Sequence, residues 1–226
     1  MKSSTILNRL GYWLITALVF VVPLFFLPVT SEYYEFNKQA LLVVSSFILL
    51  GLLVASFITN KTVRTVRSPL GLPLLLVTTT WVLSTFLKTP NRWDAFTDPG
   101  FTTTILSLFA FFIAGISFVR SKKDLDGVFN ALLLSSGVLS GLTILWASDL
   151  LSKNLPIAFL KSPLWSPTGN PLSNFIFLLT IAVILGFIAL RGRMDFLKNF
   201  KQPLVLVLAI IATSILGYRL FSPGST

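Results

Sequence analysis

Seven apolar runs, each close to 20 residues long and almost free of charge, recur along this 226-residue chain, and no other feature constrains its folding as much. About 20 consecutive apolar residues in a helix cross the hydrocarbon core of a bilayer. The runs are 10–29, 40–59, 70–87, 101–119, 128–147, 172–190 and 204–221. Six contain no Asp, Glu, Lys or Arg, and the seventh contains only Arg219, near its end. The third is the most diluted, with Pro69 and Pro73 at its start and Thr78, Thr79, Thr80, Ser84 and Thr85 within it. None alternates apolar and polar residues, so the closed barrel, the other way to span a membrane, is not expected.

Composition agrees. The chain is 54% hydrophobic and 12% charged, against roughly 25% charged in soluble domains, which leaves too little polar surface to coat a water-soluble globule. The first run follows Lys2 and Arg9 as a signal peptide would. It is nevertheless too long for a signal h-region, carries Pro23 and Pro28 and lacks an A-x-A cleavage site, so it reads as a retained span. The expectation is an all-α polytopic transmembrane bundle of about seven spans. A single domain is expected over 1–226, with the longest connection, 148–171, lying on the membrane as an external interfacial or re-entrant segment.

Basic residues set orientation, because cytoplasmic loops retain Lys and Arg. One set of alternate connections carries twelve: Lys2, Arg9, Lys61, Arg64, Arg67, Arg120, Lys122, Lys123, Arg191, Arg193, Lys198 and Lys201. The other carries six: Lys38, Lys88, Arg92, Lys153, Lys161 and Arg219. Acids run the opposite way, with Asp124, Asp126 and Asp195 on the first side and Glu32, Glu35, Asp94, Asp98 and Asp149 on the second. This predicts a cytoplasmic N-terminus and an external C-terminus. The net charge of +10 is then an orientation signal and a contact for anionic headgroups. The lipid bilayer is the expected partner, and no nucleic acid is expected.

The same counts exclude much chemistry. The chain has no Cys and no His, which removes disulfides, Cys/His zinc sites, thiol nucleophiles and His-based triads; no metal and no cofactor is expected. Ion-coupled pumps need ionisable groups inside the membrane, and the spans lack them. Helix association is expected through small residues four apart: Ser136/Ser140 with Gly137/Gly141, Gly51/Ala55, Ala110/Ala114 and Ala182/Gly186.

Candidate ligand contacts lie at the outer ends. Arg92 and Arg219 can grip a phosphate or diphosphate through a bidentate fork; an end-of-helix Arg also simply snorkels to the headgroups. Trp93 and Trp165, with Tyr33, Tyr34, Phe36, Trp146 and Tyr218, form either a platform for an amphiphile or an ordinary interfacial belt. The pairs Glu32/Glu35 and Asp94/Asp98 offer acid–base chemistry on paper, but nearby bases neutralise them. The turn Ser166-Pro167-Thr168-Gly169-Asn170-Pro171 launches the sixth span, with Asn170 or Ser173 near its N-cap.

Two stretches carry a family resemblance. Pro23-Leu24-Phe25-Phe26-Leu27-Pro28-Val29-Thr30, leading through Tyr34-Glu35-Phe36-Asn37-Lys38, resembles the opening of bacterial O-antigen ligase/polymerase-like membrane proteins, and the Ser166–Pro171 turn resembles a later stretch of them. The resemblance implies a multi-pass inner-membrane (plasma-membrane) protein of the bacterial cell envelope, acting on an undecaprenyl-diphosphate-linked glycan at the outer leaflet without a metal. It also implies about ten to fourteen spans and a large external loop with Arg and His in the C-terminal half. This chain reaches Thr226 soon after the seventh run and has neither. No catalytic residue is therefore carried over. The expectation is a truncated member or an N-terminal part of such a glycosyltransferase, with a partner carrying the C-terminal half as one option. The alternative is a non-enzymatic membrane scaffold or transport-assembly subunit.

Overall fold

With no water in hydrocarbon to bond N–H and C=O groups, a spanning segment must satisfy them internally. A computed structural model of the chain shows the helical solution in every regular element it describes. It describes residues 2–25, 35–60, 68–97, 102–148, 150, 168, 171–190 and 201–221. Among these are eight helices and no strand: α1 (Lys2–Leu24), α2 (Glu35–Asn60), α3 (Gly71–Lys88), α4 (Arg92–Thr97), α5 (Thr102–Phe118), α6 (Lys122–Ala147), α7 (Pro171–Leu190) and α8 (Lys201–Phe221). Five, namely α1, α2, α3, α6 and α7, are long and apolar enough to cross a membrane. The apolar helix Thr102–Phe118 and the apolar part of α8, Gln202–Tyr218, are shorter. At 1.5 Å per residue, 17 residues reach about 26 Å, a little under the ~30 Å core. The architecture is that of an all-helical, multi-pass membrane protein.

Several expected boundaries shift. The first span, expected to reach Val29, ends at Leu24, and Phe25 is already non-helical. Pro23 lies in that last turn, where its missing N–H and its ring work against continuation. The second helix begins at Glu35 rather than Ala40, so Glu35, Phe36, Asn37 and Lys38 belong to its first turn and not to a loop. The fifth expected span, 128–147, belongs to a helix that starts six residues earlier, at Lys122. A reciprocal cap explains that start: the Asp124 N–H donates to Ser121 Oγ (3.1 Å), and the Ser121 N–H donates to Asp124 Oδ2 (2.9 Å). Helix α7 opens on Pro171, where the missing N–H is one that a helix start leaves unused, and Ser173 lies inside its first turn. Within 148–171, only Ser148, Leu150, Thr168 and Pro171 are described.

Three hydroxyls of the Thr-rich third span are satisfied within the helix itself. Thr78 donates to the Leu74 carbonyl, Thr79 to that of Leu75 and Thr85 to that of Trp81. Each is the i−4 bond that lets a hydroxyl sit in a helix without an unpaired donor.

The chain divides into two compact units: Met1–Val22 with Glu35–Phe129, and Pro23–Tyr34 with Asn130–Thr226. In the first, Ile15 and Leu18 of α1, Leu49 of α2, and Ala114 and Phe118 of α5 form the core. The buried face of α5 is Ser107, Ala110, Ala114 and Ser117, whose alternating three- and four-residue spacing is that of a packing seam. Ser46 of α2 donates to the Ser107 carbonyl at 3.0 Å across it. Of the expected small pairs, Ala110/Ala114 thus packs. Gly51 does not: it is exposed, and a Cβ there would meet nothing within 4 Å. An unexpected close approach is at Gly11, where a Cβ would lie 2.6 Å from the Phe118 ring.

In the second unit, Leu139 and Trp146 of α6 join Leu178 of α7 and Ala212 and Leu216 of α8. Trp146, expected in the outer aromatic platform, is instead 4% exposed in this core. The buried rows Asn174, Leu178, Ile181, Leu185 on α7 and Val205, Ala209, Ala212, Leu216 on α8 repeat the seam spacing. Ser136 and Ser140 are fully buried, and a Cβ at Gly137 would lie 3.3 Å from Val205 Cγ2. A side-chain bond joins α6 to α7: Asn174 Nδ2 donates to Thr143 Oγ1 at 2.9 Å, while the Thr143 hydroxyl donates to the Leu139 carbonyl.

This packing predicts the effects of three substitutions. Gly11→Ala forces the Phe118 ring aside and lowers stability by about 1–3 kcal/mol, as overpacking does. Gly51→Ala, placed in open space, leaves stability unchanged or raises it by up to ~1 kcal/mol through helix propensity. Reversible unfolding in mixed micelles measures both, and equal effects would contradict the packing at Gly11. Thr143→Val removes the acceptor of a fully buried amide and costs about 1 kcal/mol in the same assay.

Candidate functional site

With no ionisable side chain inside six of the apolar runs, polar chemistry gathers at helix ends. One pocket with polar groups among its lining residues lies where α3 ends and α4 begins. It encloses about 470 Å³ and is lined by Trp81, Ser84, Thr85, Thr89, Pro90, Asn91, Asp94 and Ala95. Pro90 helps end α3, since a residue before proline is steered away from helical angles; Thr89 is extended, with ψ 121°. The six residues of α4 then lie across the gap.

Three contacts fix the geometry. Thr85 Oγ1 lies 2.6 Å from Thr102 Oγ1, joining α3 to α5. Because the Thr85 hydroxyl already donates to the Trp81 carbonyl, Thr102 is the donor of that pair. Thr103 donates to the Phe96 carbonyl, and Phe86 packs on Phe96 with ring centroids 5.6 Å apart. These contacts hold Ala95 and Phe96 inward, with Ala95 7% exposed. At the pocket's polar edge, Asn91 Nδ2 donates to Asp94 Oδ2, orienting the carboxylate.

The pocket joins one indole to an amide, a carboxylate and several hydroxyls. An aromatic ring with both donors and acceptors around it suits a hydroxyl-rich group, which bonds to all of these while its apolar face rests on the ring. Among the lining residues the one charged group is the Asp94 carboxylate, which repels an anion; the cations nearest in sequence, Lys88 and Arg92, flank the lining and are exposed.

The four residues singled out from sequence fare differently. Arg92 and Trp93 stand side by side on α4, both exposed, with Trp93 79% exposed. Neither lines the pocket, although the helix that carries them forms its edge. Arg219 occupies the last turn of α8, in the other compact unit. Trp165 lies outside the described residues, as do Glu32, Asp98, Tyr33 and Tyr34. Tyr218 is 74% exposed, as an interfacial residue would be. Among the described residues, no group of three or more His, Cys, Asp or Glu side chains is placed to hold a metal.

Sequence reasoning passed over Trp81, Ser84 and Thr85, treating the hydroxyls only as dilution of an apolar run. The available signal was their position. They cluster in the last two turns of α3, shortly before Thr89, Asn91 and Asp94.

The packing implies that the Thr85–Thr102 bond positions α4. Thr85→Val removes it while keeping shape, and spin labels on α4 should then gain mobility with no loss of total helix content by circular dichroism. Unchanged label spectra would show that the bond does not position α4.

No protein-family model matches the chain, and the searches of characterised proteins and of solved structures also returned no match.

Proposed function

We propose that this chain is a multi-pass inner-membrane protein of O-antigen ligase-like type, contributing an outer-leaflet site for a polyprenyl-diphosphate-linked glycan. The observation that carries the reading is the pocket at the end of α3, where Trp81, Asn91 and Asp94 stand ready for a hydroxyl-rich group. Arg92 and Trp93 are exposed on the helix at its edge. In this reading sugar hydroxyls enter the pocket, Arg92 meets the diphosphate, and Trp93 sits among the lipid headgroups. The polyprenyl tail stays in the bilayer beside the exposed apolar face of α3, which includes Leu75, Leu76, Leu83 and Phe86.

The orientation belongs to the same proposal: N-terminus cytoplasmic, C-terminus external. It is supported by the excess of Lys and Arg on one set of connections. It is also supported by contacts that gather helix ends flanking those connections. Asn8 of α1 accepts from Arg120, beyond α5, at 3.1 Å and from Ser56 of α2 at 3.5 Å. The α3–α4 pocket lies at the opposite end of these helices.

A scaffold or transport-assembly role is the second reading, favoured by the burial of only Thr78 and Thr85 on α3. That helix leaves a broad apolar face for a partner helix.

A photoreactive polyprenyl-diphosphate disaccharide separates the two readings. The proposal expects labelling at α3–α4 that falls at least fivefold in Trp81→Ala and in Arg92→Ala, at unchanged expression. Labelling unaffected by either change would overturn the glycan reading and leave the scaffold. Separately, a C-terminal tag should be reached by an impermeant reagent from outside; a cytoplasmic tag would refute the orientation.

A further inference from the structure

A second cavity in the first compact unit has a different chemistry. It is a groove of about 640 Å³ between α1, α5 and the start of α6. Its walls are apolar, with Ile15 and Val19 of α1 facing Leu108, Phe111, Phe112 and Ile116 of α5. Its mouth is not: Ser68, Arg120, Ser121 and Lys122 line it there.

We propose that this groove is a binding site for one anionic phospholipid of the bilayer, with an acyl chain along α5 and the phosphate at Arg120 and Lys122. This rests on the multi-pass reading of the chain and not on the glycan proposal.

Length and charge favour this occupant. From Val119 at the mouth to Leu108 at the far end is eleven residues along α5, or about 16 Å. One leaflet contributes about half of a ~30 Å core, so the groove is about as deep as a single leaflet. A partner helix would need the full span, and a soluble anion would leave the apolar length unused.

At the mouth Arg120 is exposed yet held in place. Its Nε donates to the Ser117 carbonyl at 2.6 Å and its Nη2 to Asn8 Oδ1 at 3.1 Å. A guanidinium has five N–H groups, so three remain for a phosphate with the planar fork already oriented. Lys122 and Lys123 are exposed beside it. Asp124, the nearest acid, has its Oδ2 occupied by the Arg120 and Ser121 N–H groups. Gly115 lines the groove, and a Cβ there would meet nothing within 4 Å, so the space beside it is open to a chain.

The test uses the full chain in nanodiscs with trace phosphatidylglycerol bearing a diazirine in its acyl chain, and maps the label by mass spectrometry. The proposal expects label concentrated on 108–119. Tenfold unlabelled phosphatidylglycerol should displace it, whereas equal phosphatidylcholine or millimolar inorganic phosphate should not. Gly115→Leu should cut the label at least fivefold by filling the groove. Gly51→Leu, which adds the same bulk in open space on α2, should not. Arg120→Ala with Lys122→Ala should abolish the preference over phosphatidylcholine. Equal competition by phosphatidylcholine, or label spread evenly over exposed α3 as well, would overturn the proposal. The wild-type competition decides this even where a variant folds poorly, and labelling by the polyprenyl probe at α3–α4 is read independently.

Discussion

In a bilayer the solvent is already apolar, so helices gain little by hiding apolar faces from it. What holds them is close approach and the satisfaction of polar groups they cannot expose. This protein answers with small residues on its packing seams. Ser107, Ala110, Ala114 and Ser117 let α2 come near enough to α5 for Ser46 to reach a backbone carbonyl. Ala209 and Ala212 do the same between α7 and α8. Where a hydroxyl occurs inside a helix, its own i−4 carbonyl usually takes the proton, as at Thr78, Ser117, Ser136 and Thr213. Polar residues can therefore enter the spans without opening a path for water.

The helices themselves were legible from hydropathy alone, because the bilayer imposes a length that few other environments do. Their ends were less legible, since a helix does not stop where its apolar run stops. Helix α6 starts at Lys122 because Ser121 and Asp124 cap one another, and hydropathy, which sees only four charged residues there, places the start after them. That Ser-x-x-Asp spacing was readable in principle. The seams were harder. A search for small residues four apart finds Ala110/Ala114 and Gly51/Ala55 equally well, although only the first is packed against a neighbour. Spacing records what one helix offers, not which side its neighbours occupy.

The same limit explains the aromatic residues. Trp93 and Trp146 occupy similar positions relative to apolar runs, yet one is exposed on α4 and the other closes a core with Leu139 and Leu178. Which tryptophan meets the interface depends on the rotation of its helix. Single residues near helix ends, such as Trp81, Asn91 and Asp94, become a pocket only when the chain reverses between α3 and α5. Neither the rotation nor the reversal angle is written in composition.

Charge segregation, by contrast, was fully visible, and its consequence is chemical. Because the apolar runs carry essentially no ionisable group, an ion would find no charged partner in the middle of these runs. Charged chemistry is then drawn to the helix ends, and the first compact unit has a cavity at each of two ends. The α3–α4 pocket lies at one end, with hydroxyls, an amide and a carboxylate around an indole; the α5–α6 groove lies at the other, with a guanidinium and an ammonium above an apolar slot. A ligand that fits either must be amphiphilic, reaching from an interface into the leaflet beside it. The two chemistries select opposite heads, hydroxyl-rich at the first and anionic at the second, so one lipid species would not fill both equally well.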